Sequence, residues 1–324
     1  MTSPETVLID GDPATAVSAF DRGLHYGDGL FETIACRGGR ARFLSRHLER
    51  LVAGCERLRI RFTALAPLKN EIERLASEHD LSLIKVILTR GVATARGYGI
   101  KGDESATRVV LRYSWPQEDP TAWRDGVAIR VAEQRLGENP RLAGLKHLNR
   151  LEQVLARSEW SDPGIAEALM FSSSGLLVSG TMSNVFLVKE GQLRTPRIER
   201  CGVAGIMRGV VLQEASRAGI AREECDLNAG DLERADEIFL TNARIGIWPV
   251  RALESRPLPP GAVTKRIQEW LWPLLTESRD ESAAQSPKDH QSAASGELRE
   301  AGDQRSTPTP TAASTSDSKG RGRA

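Results

Sequence analysis

The sequence predicts an α+β fold made of two halves, with a ligand-binding site between them. Strand and helix patterns are mixed within each half without an internal repeat, and a polar, proline-bearing segment, SWPQEDP, separates the halves. A chain of 324 residues is also long enough to bury a large core. Mixed elements in two halves favour the α+β class, and small ligands commonly bind where two halves meet.

The composition divides the chain into four segments. We expect a smaller N-terminal α/β domain over 1–116, a connection over 117–125 and a larger C-terminal domain over 126–276. Residues 277–324 contain Leu298 as their only large aliphatic residue and no aromatic residue, so we expect this tail to be disordered. It ends in KGRGRA, which is either plain solvated chain or a weak contact site for an acidic partner.

The first half contains three predicted strands and two predicted helices. Alternating apolar residues predict the strands, and apolar residues at helical spacing predict helices with one buried face. The elements are strand Thr6–Asp10, helix Phe43–Leu58 with Leu44, Leu48, Leu51 and Cys55 on its buried face, helix Leu68–Ser77, and strands Leu83–Thr89 and Arg108–Tyr113.

The second half opens with an alternating strand and ends with a helix. Between them, the turn KEGQ joins two apolar runs and predicts a hairpin. The elements are strand Val127–Val131, a helix after Lys146, strand Ala166–Phe171, the hairpin Asn184–Val188 with Leu193, helix Gly205–Ala218, strand Glu237–Thr241 and helix Val263–Leu275.

Charge and cysteine content exclude several classes of function. The formal net charge is +1, from 44 basic and 43 acidic residues, so we expect neither a nucleic-acid nor a membrane partner. No run of eighteen apolar residues is present in the sequence. The four cysteines and the histidines have no metal-ligand spacing, so we expect no metal, free thiols and a cytoplasmic location.

The run GLKHLNRLEQVLAR places Lys146 just ahead of a predicted amphipathic helix. Leu148, Leu151, Val154 and Leu155 fall on one stripe, which we expect to be buried. A lysine held in this way can be desolvated, and a desolvated lysine loses its charge and becomes a nucleophile. The alternative is an ordinary solvated lysine ahead of a surface helix.

These motifs resemble a known enzyme family. GLKHLNRLEQ, together with LHYGDGLFET and RGYG, is similar to the 4-amino-4-deoxychorismate lyases, a branch of the fold type IV pyridoxal-phosphate enzymes that also include D-amino-acid and branched-chain aminotransferases. The resemblance covers about residues 7–275. It implies a two-domain enzyme with its active site between the domains and Lys146 as the lysine that carries pyridoxal 5'-phosphate.

The resemblance also implies an activity and an assembly. The expected reaction converts 4-amino-4-deoxychorismate to 4-aminobenzoate and pyruvate in folate biosynthesis. Lys146 would act as the base and then as the acid. Members of the family are homodimers whose active site is completed near the subunit interface, and we expect the same here.

Three segments are expected to hold the cofactor phosphate. GVAGIMRG places glycines ahead of a helix, and the resemblance assigns the N–H groups of Ile206 and Met207 to the phosphate. In FLTNA, Thr241 and Asn242 either contact the phosphate or only cap a turn. Arg50 reads locally as a solvated helix residue, but the resemblance makes it a phosphate clamp.

One position departs from the family pattern. Fold type IV enzymes typically carry a glutamate, facing the pyridine nitrogen, five residues before the asparagine of E-G-x-x-S-N-x-F. Here VSGTMSNVF has Asn184 in place but Ser179 where the glutamate is expected. A hydroxyl can hydrogen-bond the nitrogen without adding charge, so the cofactor ring should be a weaker electron sink.

The substrate residues are also inferred mainly from the resemblance. Arg96 and Tyr98 of RGYG are expected to bind a substrate carboxylate, although the segment alone also fits an ordinary flexible loop. Tyr26 and Thr33 are expected near the substrate, and Thr33 is counted with the catalytic residues. The substrate has two carboxylates, and Arg244 is the candidate for the second.

Three other functions remain open from the sequence. The first is an aminotransferase of D- or branched-chain amino acids, distinguished by its product. The second is a pyridoxal-phosphate-binding protein that has lost catalysis through Ser179. The third is an interaction protein that acts through residues 277–324.

Overall fold

The first β-sheet is built from the N-terminal residues of the computed structural model, which describes residues 3–93, 96–117, 120–259 and 261–276. Its six strands are antiparallel, in the order β2-β1-β6-β5-β3-β4. They are β1 (Thr6–Ile9), β2 (Asp12–Pro13), β3 (Gly29–Arg37), β4 (Arg40–Ala41), β5 (Leu81–Thr89) and β6 (Thr107–Ser114).

Three helices belong to this part: α1 (Arg22–Tyr26), α2 (Leu44–Leu58) and α3 (Leu65–Ser77). Helices α2 and α3 pack against the sheet and bury one continuous apolar core. The predicted face of α2 is confirmed, since Leu48, Leu51 and Cys55 are buried. Helix α3 begins three residues before the predicted start at Leu68, because Pro67 is tolerated in the first turn of a helix.

The second sheet has nine strands in the order β12-β11-β10-β13-β14-β7-β8-β9, with β15 paired to β14. They are β7 (Val127–Val131), β8 (Ile165–Phe171), β9 (Leu177–Gly180), β10 (Asn184–Lys189), β11 (Gln192–Pro196), β12 (Arg222–Cys225), β13 (Glu237–Asn242), β14 (Gly246–Leu253) and β15 (Arg256–Pro257). Three neighbouring pairs are parallel: β7 with β8, β7 with β14, and β11 with β12.

Five helices accompany the second sheet: α4 (Pro120–Asp125), α5 (Leu151–Arg157), α6 (Ile206–Arg217), α7 (Ala229–Glu233) and α8 (Ala262–Thr276). Helices α6 and α8 bury their apolar faces with Phe186 and Phe239, whose rings stack at a centroid distance of 4.8 Å. The mixture of helices and two sheets confirms the α+β class. The division at 117–125 into two domains stays a prediction, and the prediction of a disordered tail lies outside the described residues.

The predicted buried stripe after Lys146 is wrong. Leu151, Val154 and Leu155 are 76%, 59% and 54% exposed. Helix α5 instead turns Ala156 towards β8, where it is fully buried in a cluster with Trp160 and Met170. The small alanine side chain permits this close approach, and the larger aliphatic side chains are left on the opposite face.

None of the helices in the described parts of the chain is long and apolar enough to cross a membrane. Within the same residues, no group of three histidine, cysteine, aspartate or glutamate side chains is arranged to hold a metal ion. The four cysteines are free and buried.

Candidate active site

Strand pairing, rather than a helix, fixes the backbone of Lys146. The N–H of Phe31 on β3 donates to the Lys146 carbonyl at 2.9 Å, and the N–H of Leu148 donates to the Gly29 carbonyl at 3.0 Å. Helix α5 begins only at Leu151, so the expectation that a helix directly after Lys146 anchors it is wrong. The lysine is held as an extra extended segment beside β3.

The same segment contacts the loop that leads into α6. The N–H of Gly144 donates to the Gly202 carbonyl at 2.9 Å, and the N–H of Ala204 donates back to the Gly144 carbonyl at 3.1 Å. These bonds bring Lys146, which belongs to neither sheet, next to both β3 and the N-terminal end of α6. The expected site between the two halves of the chain has its lysine at this junction.

The ammonium group of Lys146 lies in surroundings that favour its neutral form. Its Nζ is 4.2 Å from the centroid of the Phe31 ring, a contact that by itself favours the charged form, but burial and a neighbouring cation act against it. Burial, followed by the positive charge of Arg50, lowers the pKa of Lys146 from 10.5 to about 8, against an opposing effect of Glu32. Near pH 8, Lys146 is therefore a neutral amine in a large fraction of the protein molecules, and the neutral amine is the form that attacks a carbonyl carbon.

A buried network lies beside Lys146. Glu32 on β3 accepts hydrogen bonds from His47 Nδ1 at 2.6 Å and Arg50 Nε at 2.8 Å, and it forms a further contact with Arg50 Nη2. Burial alone would raise the pKa of Glu32, but these partners lower it to about 2. Burial is the main cause that lowers the pKa of His47.

Arg50 connects this network to the loop ahead of α6. Its Nη1 donates to the Ala204 carbonyl at 2.7 Å, while Nε and Nη2 hold Glu32. The bidentate ion pair leaves further N–H groups of the guanidinium for another anion, since arginine has five. Arg50 is thus no solvated-face residue, and its expected role as a phosphate clamp stays a prediction that this position supports.

Helix α6 begins without a side-chain cap, which leaves its first N–H groups for a ligand. The Ncap residue is Gly205, and Ile206 and Met207 are the first two helical residues. Asn184 on β10 supports this turn, because its Nδ2 donates to the Val203 carbonyl at 2.9 Å. An uncapped helix N-terminus beside a guanidinium suits a phosphate group, so the residues present fit pyridoxal phosphate.

We expect Gly205→Ala to weaken cofactor binding about tenfold, because the backbone approaches Asn184 too closely for a side chain. A Cβ at this position would lie 2.0 Å from Asn184 Oδ1. Titration of the apo-protein with pyridoxal phosphate, followed by absorbance, measures the affinity. Gly209→Ala is the matched control, since a Cβ there meets nothing within 4 Å. Equal affinity in the two variants would contradict the expectation.

The loop of Thr241 and Asn242 is organised by its own hydrogen bonds. The Thr241 hydroxyl donates to the Gly246 carbonyl at 2.6 Å, and Asn242 Oδ1 accepts from the N–H groups of Arg244 and Ile245, both at 2.9 Å. Both side chains therefore act as turn caps here, the alternative left open by the sequence. Their contact with the phosphate stays a prediction. The single hydroxyl proton of Thr241 is already donated to Gly246, so it is not available to a phosphate oxygen.

Ser179 lies on β9, where its hydroxyl donates to the adjacent Gly180 carbonyl at 2.8 Å. A buried carboxylate, Glu167 on β8, holds the turn that follows. It accepts from the N–H groups of Thr181 at 3.0 Å and Met182 at 3.1 Å, and from the Ser183 hydroxyl at 3.0 Å. The carboxylate of Glu167 thus fixes the turn between Ser179 and Asn184, a role that the sequence pattern did not reveal.

Thr33 lies two residues from Phe31 on the same face of β3, and its cross-strand neighbour is Lys85. None of the sequence motifs pointed to Lys85. Its Nζ is 5.5 Å from the Phe31 ring centroid, so one aromatic ring has two lysines beside it. The feature that could have indicated Lys85 is its position as the one charged residue within the apolar strand LSLIKVILT. The role of Thr33 at the substrate stays a prediction.

The RGYG segment is exposed. Arg96 is exposed, and Tyr98 is 82% exposed with its ring 5.2 Å from that of Tyr26. Tyr26 is half-buried at the end of α1. The carbonyls of Gly97 and its two successors accept hydrogen bonds from Arg22. The assignment of Arg96 and Tyr98 to the substrate stays a prediction.

Arg244 lies in a different environment from Lys146. It lines an open cleft of about 580 Å³ with residues of α4 and the beginnings of β7 and β8, and its guanidinium is 5.7 Å from the Trp248 ring centroid. None of the residues described around Lys146 lines this cleft. As a ligand for the second carboxylate, Arg244 therefore receives no support from its position.

Comparison with known proteins identifies the family. Residues 29–253 match the model of the amino-transferase class IV family. The chain belongs to this family. An aminodeoxychorismate lyase from Vibrio harveyi is 34% identical over 265 residues, which are 80% of this chain and 97% of that protein. A D-alanine aminotransferase from Listeria monocytogenes is 26% identical over 277 residues, 83% of this chain and 94% of that protein.

A solved structure gives the same family. The crystal structure of 4-amino-4-deoxychorismate lyase from Pseudomonas aeruginosa is 45% identical, with a TM-score of 0.79, and covers 82% of this chain and 97% of that one. Membership of the class IV aminotransferase family confirms the predicted fold type, and with it the predicted enzyme class and its pyridoxal-phosphate cofactor. Both features were expected from the sequence.

Proposed function

We propose that this class IV enzyme is a 4-amino-4-deoxychorismate lyase, which forms 4-aminobenzoate and pyruvate for folate biosynthesis. The observation that carries the proposal is the 45% identity to the Pseudomonas aeruginosa lyase, over nearly all of that chain. The geometry around Lys146 supports base chemistry on a pyridoxal-phosphate substrate complex in general. The identity to the lyase is what favours elimination over amino-group transfer.

Five positions are proposed to hold the cofactor. Lys146 would carry it, Arg50 and the N–H groups of Ile206 and Met207 would bind its phosphate, and Ser179 would face the ring nitrogen. Pyridoxal phosphate supplies an electron sink for the electrons released when the C–H bond beside the substrate amine is broken. Asn184 and Glu167 act indirectly, because they fix the turns that carry the binding groups.

Lys146 is proposed to carry out both proton transfers of the reaction. Its neutral amine takes the proton from the ring carbon that bears the amino group. The same side chain, now protonated, gives that proton to the methylene carbon of the enolpyruvyl group, and the C–O bond to the ring breaks as pyruvate forms. A pKa of about 8 suits a group that must accept and then donate a proton near neutral pH.

The two carboxylates of the substrate need two cations. Arg96 is proposed for one of them, as the family resemblance implies. Lys85 is proposed for the other, because its ammonium lies beside the same aromatic ring as Lys146. Thr33 lies opposite Lys85 on the adjacent strand and would contact the substrate from the same face.

An amino-transferring activity is the second candidate, and the 26% identity to a D-alanine aminotransferase favours it. The discriminating experiment supplies purified protein with chorismate, glutamine and an aminodeoxychorismate synthase, and measures 4-aminobenzoate and pyruvate. Parallel reactions contain 2-oxoglutarate with D-alanine or leucine. Formation of glutamate without 4-aminobenzoate would replace the proposal, and no product in either assay would favour a non-catalytic cofactor-binding protein.

Ser179→Glu is expected to shift the absorption spectrum of the bound cofactor and its pH dependence, because a carboxylate favours a protonated ring nitrogen. The rate of 4-aminobenzoate formation should change with it. Ser183→Ala, in the turn held by Glu167, serves as the control for local disturbance. A spectrum unchanged by Ser179→Glu would mean that this side chain does not face the nitrogen.

A cytoplasmic homodimer is also part of the proposal. Free cysteines suit a reducing compartment. Exposed apolar side chains on α5, namely Leu151, Val154 and Leu155, suit a subunit interface. Light scattering should give twice the 35.4 kDa of the chain, and Val154→Glu should lower this mass. A monomeric wild-type protein at micromolar concentration would count against the dimer.

A further inference from the structure

Three consecutive carbonyl groups of the RGYG segment converge on one buried arginine. Arg22 Nη1 donates to Gly97 at 3.1 Å and to Gly99 at 3.4 Å, and Nη2 donates to Tyr98 at 3.3 Å. The side chain of Arg22 is only 4% exposed. A planar guanidinium can satisfy several acceptors at once, so it fixes the path of a loop that is otherwise exposed.

Arg22 is itself held in place from the opposite side. Its Nε donates to Asp28 Oδ2 at 2.8 Å. Asp28 also accepts from Arg90, whose guanidinium donates to the carbonyls of Leu58 and Arg59 at the end of α2. The loop is therefore connected through Arg22 and Asp28 to the core of the first sheet and its helix.

The rings of Tyr26 and Tyr98 add further contacts between Arg22 and the RGYG segment. The Arg22 guanidinium lies 5.0 Å from the centroid of the Tyr26 ring, and Tyr26 contacts Tyr98 with a centroid separation of 5.2 Å. Arg22 thus contacts the backbone carbonyl of Tyr98, and it also contacts the Tyr26 ring, against which the Tyr98 side chain packs. Both contacts restrict Tyr98, which lies two positions after Arg96.

We propose that Arg22 is a positioning residue that sets where Arg96 and Tyr98 meet the substrate. The inference rests on the proposed function for the identity of the substrate, but the ordering of the loop does not depend on it. Arg22 makes no contact with the cofactor or the reacting atoms in this proposal. It acts through the loop, so its loss should affect substrate binding more than the chemical step.

The loop ordering is tested by limited proteolysis of the full-length holoenzyme. Trypsin cuts after arginine, and the Arg96–Gly97 bond lies in the exposed loop, so its cleavage rate reports how well the loop is held. Arg22→Lys keeps the charge beside Asp28 but has one nitrogen in place of a fork. We expect cleavage at this bond to accelerate about tenfold. Arg108→Lys is the matched control, because the fork of this partly buried arginine is held by Glu71, outside the contacts of Arg22; it should change the rate by less than about twofold.

Steady-state kinetics test the consequence for the substrate. In Arg22→Lys, the KM for 4-amino-4-deoxychorismate should rise about tenfold while kcat and the absorbance of the bound cofactor stay close to wild type. Arg108→Lys should leave KM within about twofold. Arg22→Gln, which also removes the charge beside Asp28, should show at least the same rise if it folds; a melting curve checks this.

The outcomes separate this proposal from the proposed function. Unchanged cleavage at Arg96–Gly97 in Arg22→Lys, or equal acceleration in Arg108→Lys, overturns the positioning role whatever the substrate is. Faster cleavage with an unchanged KM overturns the link to substrate binding. If wild-type protein makes no 4-aminobenzoate, the lyase assignment fails, while the cleavage comparison still decides whether Arg22 orders the loop.

Discussion

Replacing Lys146 with alanine is expected to lower the rate of 4-aminobenzoate formation by about a thousandfold or more, because one side chain supplies both the base and the acid. The variant should also lose the absorbance of the covalently held cofactor. The partly desolvated amine, with a pKa of about 8, is the group that both effects depend on. Product formation by high-performance chromatography and an absorption spectrum measure the two losses.

Two lysines provide controls for this substitution. Lys69 is exposed and pairs with Glu73 at 3.7 Å, so Lys69→Ala should leave both readouts unchanged. Lys85→Ala should keep the cofactor absorbance and raise the KM. Borohydride reduction followed by peptide mapping should label Lys146. Turnover that survives Lys146→Ala, or a label on another side chain, would refute the assignment.

Glu32→Gln is expected to destabilise the protein by about 3 kcal/mol at pH 7, because the pKa of Glu32 is lowered from 4.5 to about 2 in the folded state. The sign follows from the lowered pKa. The carboxylate contributes its stability above pH 4.5, and this contribution is lost as the pH falls from 4.5 towards 2. The difference between wild type and variant should therefore shrink over this window.

Urea unfolding of both proteins between pH 7 and pH 3 measures this difference. Glu73→Gln is the control, since Glu73 and its partner Lys69 are both about half exposed and such pairs contribute at most about 1 kcal/mol. A variant as stable as wild type at pH 7 would show that the ion pair with Arg50 and the bond from His47 only offset the cost of burying the charge.

The secondary structure was largely predictable because its signals are local. Strand alternation in Val127–Val131 and the turn at Lys189 and Glu190 depend on neighbouring residues only, and the structure confirms both elements. Helices α2 and α3 and strands β5 and β6 were predictable for the same reason, whereas the bounds of β3 and the whole of β14 were not predicted. Short strands such as β2, β4 and β15 were missed, since two residues carry no periodicity.

The α5 stripe shows where periodicity fails. Spacing identifies which residues share a helix face, but it does not say which face the rest of the fold covers. Ala156 is buried and Leu151 is exposed because β8 lies on the alanine side. Hydrophobicity alone predicts the opposite orientation, with Leu151 buried. We propose that the exposed leucine is tolerated because it is covered by a second chain in the dimer, which the pattern of one chain does not reveal.

The site was predictable in part. Lys146 and Arg50 came from the family resemblance, whereas their surroundings came only from the structure. Glu32, His47 and Arg50 are separated by up to eighteen residues and meet because β3 and α2 pack together. The spacing of His47 and Arg50, three residues apart next to the buried Leu51, was the one local hint that both face the sheet.

The uncapped start of α6 has a practical consequence for work with the purified protein. Any small oxyanion in the buffer competes for the same N–H groups that the coenzyme needs. Reconstitution in phosphate or sulfate should therefore be slower and less complete than in a buffer of bulky, uncharged or cationic components. A preparation that binds little coenzyme in phosphate should then bind more of it after exchange into such a buffer.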